Sequence, residues 1–157
     1  MSAMKSRATL WPSRRIAAAD LGDFVGIVCL IPAITLTLRL FGMPRTYRWL
    51  DASARGGARE AEDAQVIETA LVTALVRARR YAPYRGNCLS QSLSLWWLCR
   101  RQGLDVTLRL GVRIDDRVFS AHAWVERGDR SINDDDVVRE RFTPLPPSDF
   151  RQAPNWS

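Results

Sequence analysis

The apolar residues of this chain show helical periodicity up to about residue 103 and strand periodicity after it. The earliest apolar segment, Phe24 to Leu38, is 15 residues long and carries no charged residue. A helix that spans a bilayer needs about 20 apolar residues, so we predict a mostly buried helix and do not expect membrane contact. The sequence Gly42-Met43-Pro44 predicts a break after this helix.

A second helix is predicted over Glu60 to Tyr81. Acidic residues lead this segment and arginines close it, an order that complements the helix dipole. Pro83 prevents continuation. The apolar residues recur at three- and four-residue spacing and define one buried face: Ile67, Ala70, Leu71, Ala74, Leu75 and Ala78.

A third helix is predicted over Leu89 to Arg101, a run without Gly or Pro. Gly103 is expected to end it. Two adjacent tryptophans, Trp96 and Trp97, lie within the run. Aromatic side chains supply large buried areas, so we expect both in the core rather than on a ligand-binding surface.

The pattern changes to alternation of apolar and polar residues after the third helix. Val106 to Ile114 predicts a half-buried strand, and Val118 to Glu126 predicts a second strand. Arg127-Gly128-Asp129, directly after the second strand, is a hairpin turn signal. Ser131 to Asp134 begins a third strand or forms its end. The Pro-rich tail after Phe142 is expected to be extended over the surface.

Helices followed by an antiparallel meander predict an α+β fold, in which the helix that begins near Cys88 packs on a small antiparallel sheet. The Gly56-Gly57 pair predicts a linker over Asp51 to Arg59. We therefore predict an N-terminal helical extension over residues 1–59 and one domain over residues 60–157. The total of 157 residues is consistent with this division.

Composition narrows the possible functions. Hydrophobic residues make up 46% of the chain, the net charge is +6 and the pI is about 10. The basic residues are dispersed, which is typical of a solvated surface, so we do not expect a nucleic-acid partner. Three cysteines and one histidine form neither a disulfide framework nor a zinc site. We therefore expect a reducing, cytoplasmic compartment, no metal and no cofactor.

Cys88 is the first candidate for chemistry. It follows a turn-forming Gly86-Asn87 pair and precedes the third helix, so it is expected at a helix N-terminus. The helix dipole favours a thiolate there, and the free backbone N–H groups can hold an oxyanion. The alternative is a packed small hydrophobe, because most free cysteines are simply buried.

A thiol nucleophile needs an imidazole to take its proton and a third group to orient that imidazole. His122, the only histidine, lies on the second predicted strand, and the acids Asp134, Asp135 and Asp136 come after it. This chain order is that of papain-like and transglutaminase-like enzymes. The alternative for His122 is a satisfied sheet histidine, and for the acidic run a solvated turn, which we favour for the last two acids.

The hairpin register selects between the acids. A three-residue loop, Arg127-Gly128-Asp129, would place Asp134 opposite His122 on the same face. A two-residue loop, Gly128-Asp129, would instead place Asp135 opposite His122 and turn Asp134 to the other face. Three-residue loops with glycine are common, so Asp134 is our first choice.

Three stretches resemble the leader peptidases of lasso-peptide biosynthesis, a family of small transglutaminase-like cysteine proteases. These stretches occur in the family's order and spacing, and they are Asn87–Val112, Phe119–Glu126 and Ile132–Asp134. The resemblance covers about half of the chain, Ala61 to Asp136, whereas the first 60 residues match only as a helical extension. Gly111-Val112 and Ala121-His122-Ala123-Trp124 match the family's strand motifs. At position 91 the family often has Arg, and this chain has Gln91.

The resemblance implies Cys88 as nucleophile, His122 as base and Asp134 as the orienting acid. It also implies a ribosomal precursor peptide as substrate and a small winged-helix protein that recognises the leader. Residues 1–59 are too few and too apolar to be that protein, so we expect it as a separate chain. The cut precursor would then pass to an ATP-dependent cyclase that closes the lasso ring.

Two rival functions stay open at this point. A transglutaminase-like amide acyltransferase would use the same residues, with an amine in place of water, and the masses of the products would separate the two. A non-enzymatic basic binding module would bind DNA or anionic vesicles with a steep salt dependence. Its binding would not change on loss of Cys88.

Overall fold

The computed structural model describes residues 13–54, 56–57, 61–115, 118–135 and 137–146. Asp136 and the predicted tail beyond residue 146 lie outside the described residues, as does part of the predicted linker. Helices and strands occur in the order α1 Ser13–Ser53, α2 Ala61–Tyr81, α3 Cys88–Arg101, β1 Thr107–Asp115, β2 Val118–Arg127, β3 Arg130–Ser131, α4 Val138–Arg141 and β4 Thr143–Pro144.

The predicted α+β class is confirmed. The four strands form one sheet in the order β3-β2-β1-β4, and the pairs β1–β2, β2–β3 and β1–β4 are antiparallel. Helix α3 packs against β2 and β1, and α1 and α2 pack against α3. The main core lies where these helices meet the sheet, and its fully buried members include Ile31, Leu71, Leu75, Leu93 and Leu95.

Helix α1 is interrupted at Gly42, whose φ of 75° and ψ of 170° are not helical, which confirms the predicted break. The prediction that Phe24 to Leu38 is mostly buried is wrong. Ile27, Ile31 and Ile34 point into the core, but only 17% of the most apolar window of α1 is buried. The reason is geometric, because α2 and α3 cover one side of α1 and leave the other side of the apolar helix uncovered.

The other side of α1 presents an apolar surface that consists of Leu21, Val25, Leu36 and Leu40, which we call the α1 apolar face. Each of these side chains is more than half exposed. Length and composition alone would also allow the stretch from residue 21 to residue 53, with a mean hydropathy of 2.2 in its most apolar window, to cross a membrane.

The tryptophans of α3 connect it to α1. Trp96 is fully buried, as predicted, and stacks on Tyr47 with ring centroids 5.0 Å apart. Trp97 is half-buried, and its indole N–H donates to the hydroxyl of Ser53 at 2.9 Å. Since α1 and α3 share one core, α1 helps to position the start of α3. The predicted division of the chain at residue 59 stays a prediction.

The β2–β3 hairpin has a two-residue loop, so the predicted three-residue loop is wrong. Arg127 pairs with Arg130, which leaves Gly128 and Asp129 as the loop. Gly128 has a φ of 61°, the left-handed conformation that two-residue hairpin turns require. Strand β3 is also shorter than predicted, because it ends at Ser131 and the chain then bends away from the sheet.

The segment after β3 forms two short elements, α4 and β4, that the sequence did not predict. Thr143 and Pro144 pair with β1, so the start of the Pro-rich tail is part of the sheet. A buried carboxylate, Glu126, holds α4 through hydrogen bonds of 2.6 Å from Nε and Nη2 of Arg139. Burial raises the pKa of Glu126, but its hydrogen bonds, chiefly those from Arg139, outweigh burial and lower that pKa to about 2.

Candidate active site

Cys88 is the first residue of α3, as the sequence predicted. Asn87 caps the helix: its side-chain oxygen accepts from the N–H of Ser90 at 2.9 Å, and the Ser90 hydroxyl accepts from the N–H of Asn87 at 3.1 Å. This reciprocal pair is a capping box, which fixes the first turn. Gly86 precedes it with a φ of 65°, and a Cβ there would lie 2.5 Å from Ile31. The thiol is therefore held on a rigid turn against α1.

The first turns of α3 dock on the edge of β2. Since β3 ends at Ser131, no described strand pairs with that edge beside His122 and Ala123. The hydroxyl of Ser92 donates to the carbonyl of Ala123 at 2.8 Å and accepts from the side-chain amide of Asn133 at 3.0 Å. A short β3 therefore makes room for α3, and Cys88 lies next to β2.

Asn133 joins the sheet, α3 and the acidic run. Its side-chain oxygen accepts from the N–H of Val125 at 2.8 Å, so it replaces the next ladder bond of β3, while its amide holds Ser92. Asp134 comes directly after it. The bend that Asn133 stabilises returns the chain towards His122, although β3 itself has ended.

The structure brings Cys88, His122 and Asp134 together. The His122 ring interacts with the Cys88 thiol, and its Nε2 contacts Oδ2 of Asp134. The histidine and aspartate side chains are 26% and 23% exposed, so the contact is only partly open to water. A thiol, an imidazole and a carboxylate in this order can generate and orient a nucleophile. The catalytic roles themselves stay predictions.

Aromatic side chains fix the plane of the imidazole. The ring of Phe142 stacks on His122 with centroids 5.1 Å apart, and Trp124 lies 6.2 Å away on the same strand face. Gly111 is the β1 partner of His122, and a Cβ at Gly111 would lie 2.8 Å from both aromatic side chains. Glycine at this position therefore lets the aromatic side chains close around the histidine.

Electrostatics favour the charged forms of this group. Burial raises the pKa of the Cys88 thiol, but the hydrogen bond with His122, the backbone bonds with Ala123 and Leu89, and the histidine charge outweigh it, so that pKa is lowered. The pKa of His122 is raised, first by its hydrogen bond with Cys88 and then by Asp134, against the opposing effect of burial. Both shifts move the pair towards the thiolate and the imidazolium.

The pKa of Asp134 is lowered. Burial raises it, but the hydrogen bond with His122, the backbone bond from Asp135 and the charges of His122 and Arg141 outweigh burial. The N–H of Asp135 donates to Oδ1 of Asp134 at 2.8 Å and so holds the carboxylate in place. The carboxylate of Asp135 is exposed and pairs with Arg141 at 3.2 Å, away from the histidine.

Asp134 therefore reaches His122 by a different route from the predicted one. If the register of the two-residue hairpin continued, Asp135 would lie opposite His122. Strand β3 ends before that position, and the bend at Asn133 brings Asp134 to His122 in its place. Asn133 was not predicted to have a role. The residue lay within the motif Ile132–Asp134, but nothing in the sequence showed that its side chain would bond the sheet edge.

Arg79 of α2 is a second residue that sequence reasoning missed. Its Nε donates to Oε1 of Gln91 at 2.7 Å, and the amide of Gln91 donates to the carbonyl of Arg85 at 2.7 Å, in the loop that precedes Cys88. Its Nη1 lies 3.5 Å from the carbonyl of Asn133. Burial lowers the pKa of Arg79, and the negative charges of Asp134 and then Cys88 oppose that shift.

A signal for Arg79 was present in the helical spacing. It follows Leu71 and Leu75 at four-residue steps, which places it on the buried side of α2, whereas Arg77 and Arg80 are exposed. Of the three arginines at the end of α2, Arg79 is therefore the one placed to contact both the loop before Cys88, through Gln91, and the segment of Asn133.

We expect Arg79→Gln to slow alkylation of Cys88 by iodoacetamide several-fold near neutral pH and to move its pH profile upward. The reason is that a positive charge near Cys88 favours the thiolate, and its loss raises the pKa of that thiol. The measurement is the rate of modification against pH by mass spectrometry. Arg77→Gln and Arg80→Gln are the matched controls, and a profile that shifts equally in all three variants would contradict a local role.

The described residues contain no group of three or more His, Cys, Asp or Glu side chains placed to hold a metal ion. The cluster can instead perform acyl transfer. The N–H groups of Ser90 and Gln91 are used within the helix cap, and the N–H of Leu89 faces the thiol. The positive end of the α3 dipole can stabilise an oxyanion that forms at this helix start on a carbonyl attacked by Cys88.

Comparison with protein families gives one match over most of the chain. Residues 25–146 match the family described as the transglutaminase-like superfamily. The match begins within α1 and ends after β4, so it includes every residue of the cluster. No curated protein and no solved structure was found to match the chain.

Proposed function

Because the chain belongs to the transglutaminase-like superfamily, we propose that it is a cysteine peptidase that removes the leader from a ribosomally made lasso-peptide precursor. The superfamily match supports cysteine hydrolase or acyltransferase chemistry in general. The observation that carries the proposal is the contact of Cys88, His122 and Asp134 at the start of α3. The resemblance of the surrounding sequence to lasso leader peptidases supports the choice of substrate.

The proposed reaction begins when the Cys88 thiolate attacks the carbonyl carbon at the leader–core junction. The carbonyl oxygen becomes an oxyanion at the N-terminus of α3, and the C–N bond then breaks as protonated His122 gives its proton to the leaving amine of the core. The leader remains as a thioester on the sulfur. His122 next takes a proton from water, the resulting hydroxide attacks the thioester, and the leader leaves with a free carboxylate.

The same cluster could deliver the thioester to an amine, which is the acyltransferase alternative. Product masses decide between them, because hydrolysis adds one water across the two fragments and transfer adds the acceptor instead. The test of the proposed function is therefore incubation of a candidate precursor with the protein and its recognition partner, followed by mass spectrometry. Fragments that together equal the precursor plus water are the expected result.

The proposal includes a separate winged-helix protein that binds the leader, and an ATP-dependent cyclase that takes up the core. The α1 apolar face supports a docked protein partner, because nothing in the described chain covers it. Leu36 and Leu40 of this face flank Leu38 and Arg39 in the chain, and these two residues line a cavity next to the Cys88 loop. A partner on this face would hold the leader beside the thiol.

The three free cysteines support a reducing, cytoplasmic site of action.

We expect the isolated protein to cut its precursor poorly and a separate leader-binding protein to raise the rate about 100-fold. Tethering the leader beside Cys88 raises its effective concentration there. The measurement is cleavage rate against partner concentration. In Leu36→Glu, the half-saturating partner concentration should rise, whereas exposed Arg48→Glu should leave it unchanged. A cleavage rate that does not depend on the partner concentration would mean that this chain binds the leader without a partner.

A further inference from the structure

A cavity of about 700 Å³ lies between α1 and the loop that joins α2 to α3. Its wall contains Asn87 and Leu89, which flank Cys88 in the chain, so it lies beside the helix start that carries the candidate nucleophile.

Backbone geometry builds this cavity. Gly42 interrupts α1 with its positive φ, and the helix resumes in a new direction at the cavity wall. Gly86 also has a positive φ, and its missing Cβ lets the loop lie directly against Ile31 of α1. The two glycines therefore set the backbone position of both walls.

The chemistry of the lining has two parts. Leu38, Met43 and Leu89 are apolar and at least half-buried, so they suit methylene groups. Arg39 and Arg85 are exposed, and no acidic residue lines the cavity. Neither of these guanidinium groups pairs with a carboxylate in the described chain; the arginines that do so are Arg100, Arg109, Arg113, Arg127, Arg130, Arg139 and Arg141.

We propose that this cavity is a subsite for an acidic side chain of the peptide substrate close to the cleaved bond, with Arg39 and Arg85 as the residues that select it. The proposal rests on the peptidase function proposed above. A guanidinium offers paired donors that match a carboxylate, and apolar walls accept the methylene groups of Glu. The volume would admit a short peptide segment around that side chain.

The first experiment uses the full chain with its recognition partner and precursor variants that carry Glu, Gln or Lys at one position at a time near the junction. At one position we expect kcat/KM to be about tenfold higher for Glu than for Gln. Arg85→Glu and Arg39→Glu should remove that preference and improve cleavage of the Lys variant. Arg45→Glu and Arg48→Glu, on α1 outside the cavity, should preserve it. A preference absent at every position, or retained in both cavity variants, overturns the proposal.

A second measurement keeps the subsite distinct from the peptidase function. Short acetylated peptides that contain Glu or Gln are tested for protection of Cys88 against iodoacetamide, with exposed Cys29 as the internal reference. We expect severalfold stronger protection by the Glu peptides, lost in Arg39→Glu and Arg85→Glu. If the Glu peptides protect Cys88 in this way but no precursor is cleaved, the subsite proposal stands and the proposed peptidase function is rejected. Equal protection by Glu and Gln peptides would reject the subsite even if cleavage occurs.

Discussion

Cys88→Ala should lower the cleavage rate by about 10⁵-fold or more while the protein stays folded. The thiol is the only group of the cluster that can form the acyl intermediate, and His122 and Asp134 have no function in cleavage without it. The side chain is half-buried at a helix start, so its removal leaves no large cavity in the core. The measurements are kcat/KM with precursor and partner, and the melting temperature by circular dichroism.

The other cysteines provide matched controls. Cys99 is fully buried, and burial raises the pKa of its thiol to about 12, so it cannot supply a thiolate near neutrality. Cys99→Ala should keep the activity and lose about 1 kcal/mol or more of stability through the cavity that it creates. Cys29→Ala should change neither quantity, because Cys29 is exposed. If cleavage persisted in Cys88→Ala and was lost in Cys99→Ala, the nucleophile would be Cys99 and not Cys88.

Asp134→Asn should lower kcat by about 10²- to 10⁴-fold. The carboxylate contacts Nε2 of His122, and it helps to raise the pKa of the imidazole. An amide keeps the shape and loses the charge. The pKa of His122 should therefore fall, and the high-pH limb of the pH–rate profile, which reports loss of the imidazolium, should move to lower pH. The low-pH limb should move up, because a weaker imidazolium stabilises the Cys88 thiolate less.

Asp135→Asn is the control for this variant, because it changes the same charge one residue away. Its carboxylate pairs with Arg141 at the surface, and its contribution to the site is a backbone N–H that the substitution retains. We expect less than about a twofold change in kcat. A larger loss in Asp135→Asn than in Asp134→Asn would show that the acid opposite His122 in solution is the one that the strand register alone would select.

Local sequence signals were sufficient to predict the elements that hold Cys88 and His122. Asn87 is a strong helix-capping residue, and the run from Leu89 to Arg101 contains no helix breaker, so the position of Cys88 followed from short-range chemistry. The strand that carries His122 followed from alternation of apolar and polar residues. Both signals act within one turn or one strand and need no knowledge of the partners.

The position of Asp134 could not be derived in this way. The sequence Arg127-Gly128-Asp129 is compatible with loops of two or three residues, and the ends of β3 depend on tertiary contacts. The bend after Ser131 exists because Asn133 bonds both the β2 edge and Ser92 of α3. Such a contact joins residues 41 positions apart and leaves no periodic pattern in the sequence.

The burial of α1 and the C-terminal elements escaped prediction for two different physical reasons. Hydropathy shows that Phe24 to Leu38 is apolar, but it cannot show how many sides of a helix the remaining chain can cover. Helix α4 and strand β4 are too short to have a period. Helix α4 is held by Glu126, a charged residue that alternation assigned only to a strand, and β4 is held by its pairing with β1. Buried ion pairs of this kind become visible only when both partners are placed.

The central claim is that Cys88 hydrolyses a peptide bond through a thioester, and cleavage in water enriched in heavy oxygen tests it most directly. Precursor, recognition partner and protein are incubated together, and both fragments are weighed. We expect one heavy oxygen in the new carboxylate of the leader fragment, none in the core, and no fragments with Cys88→Ala. A leader fragment that carries an amine in place of the labelled oxygen, or labelled fragments from Cys88→Ala, would contradict the claim.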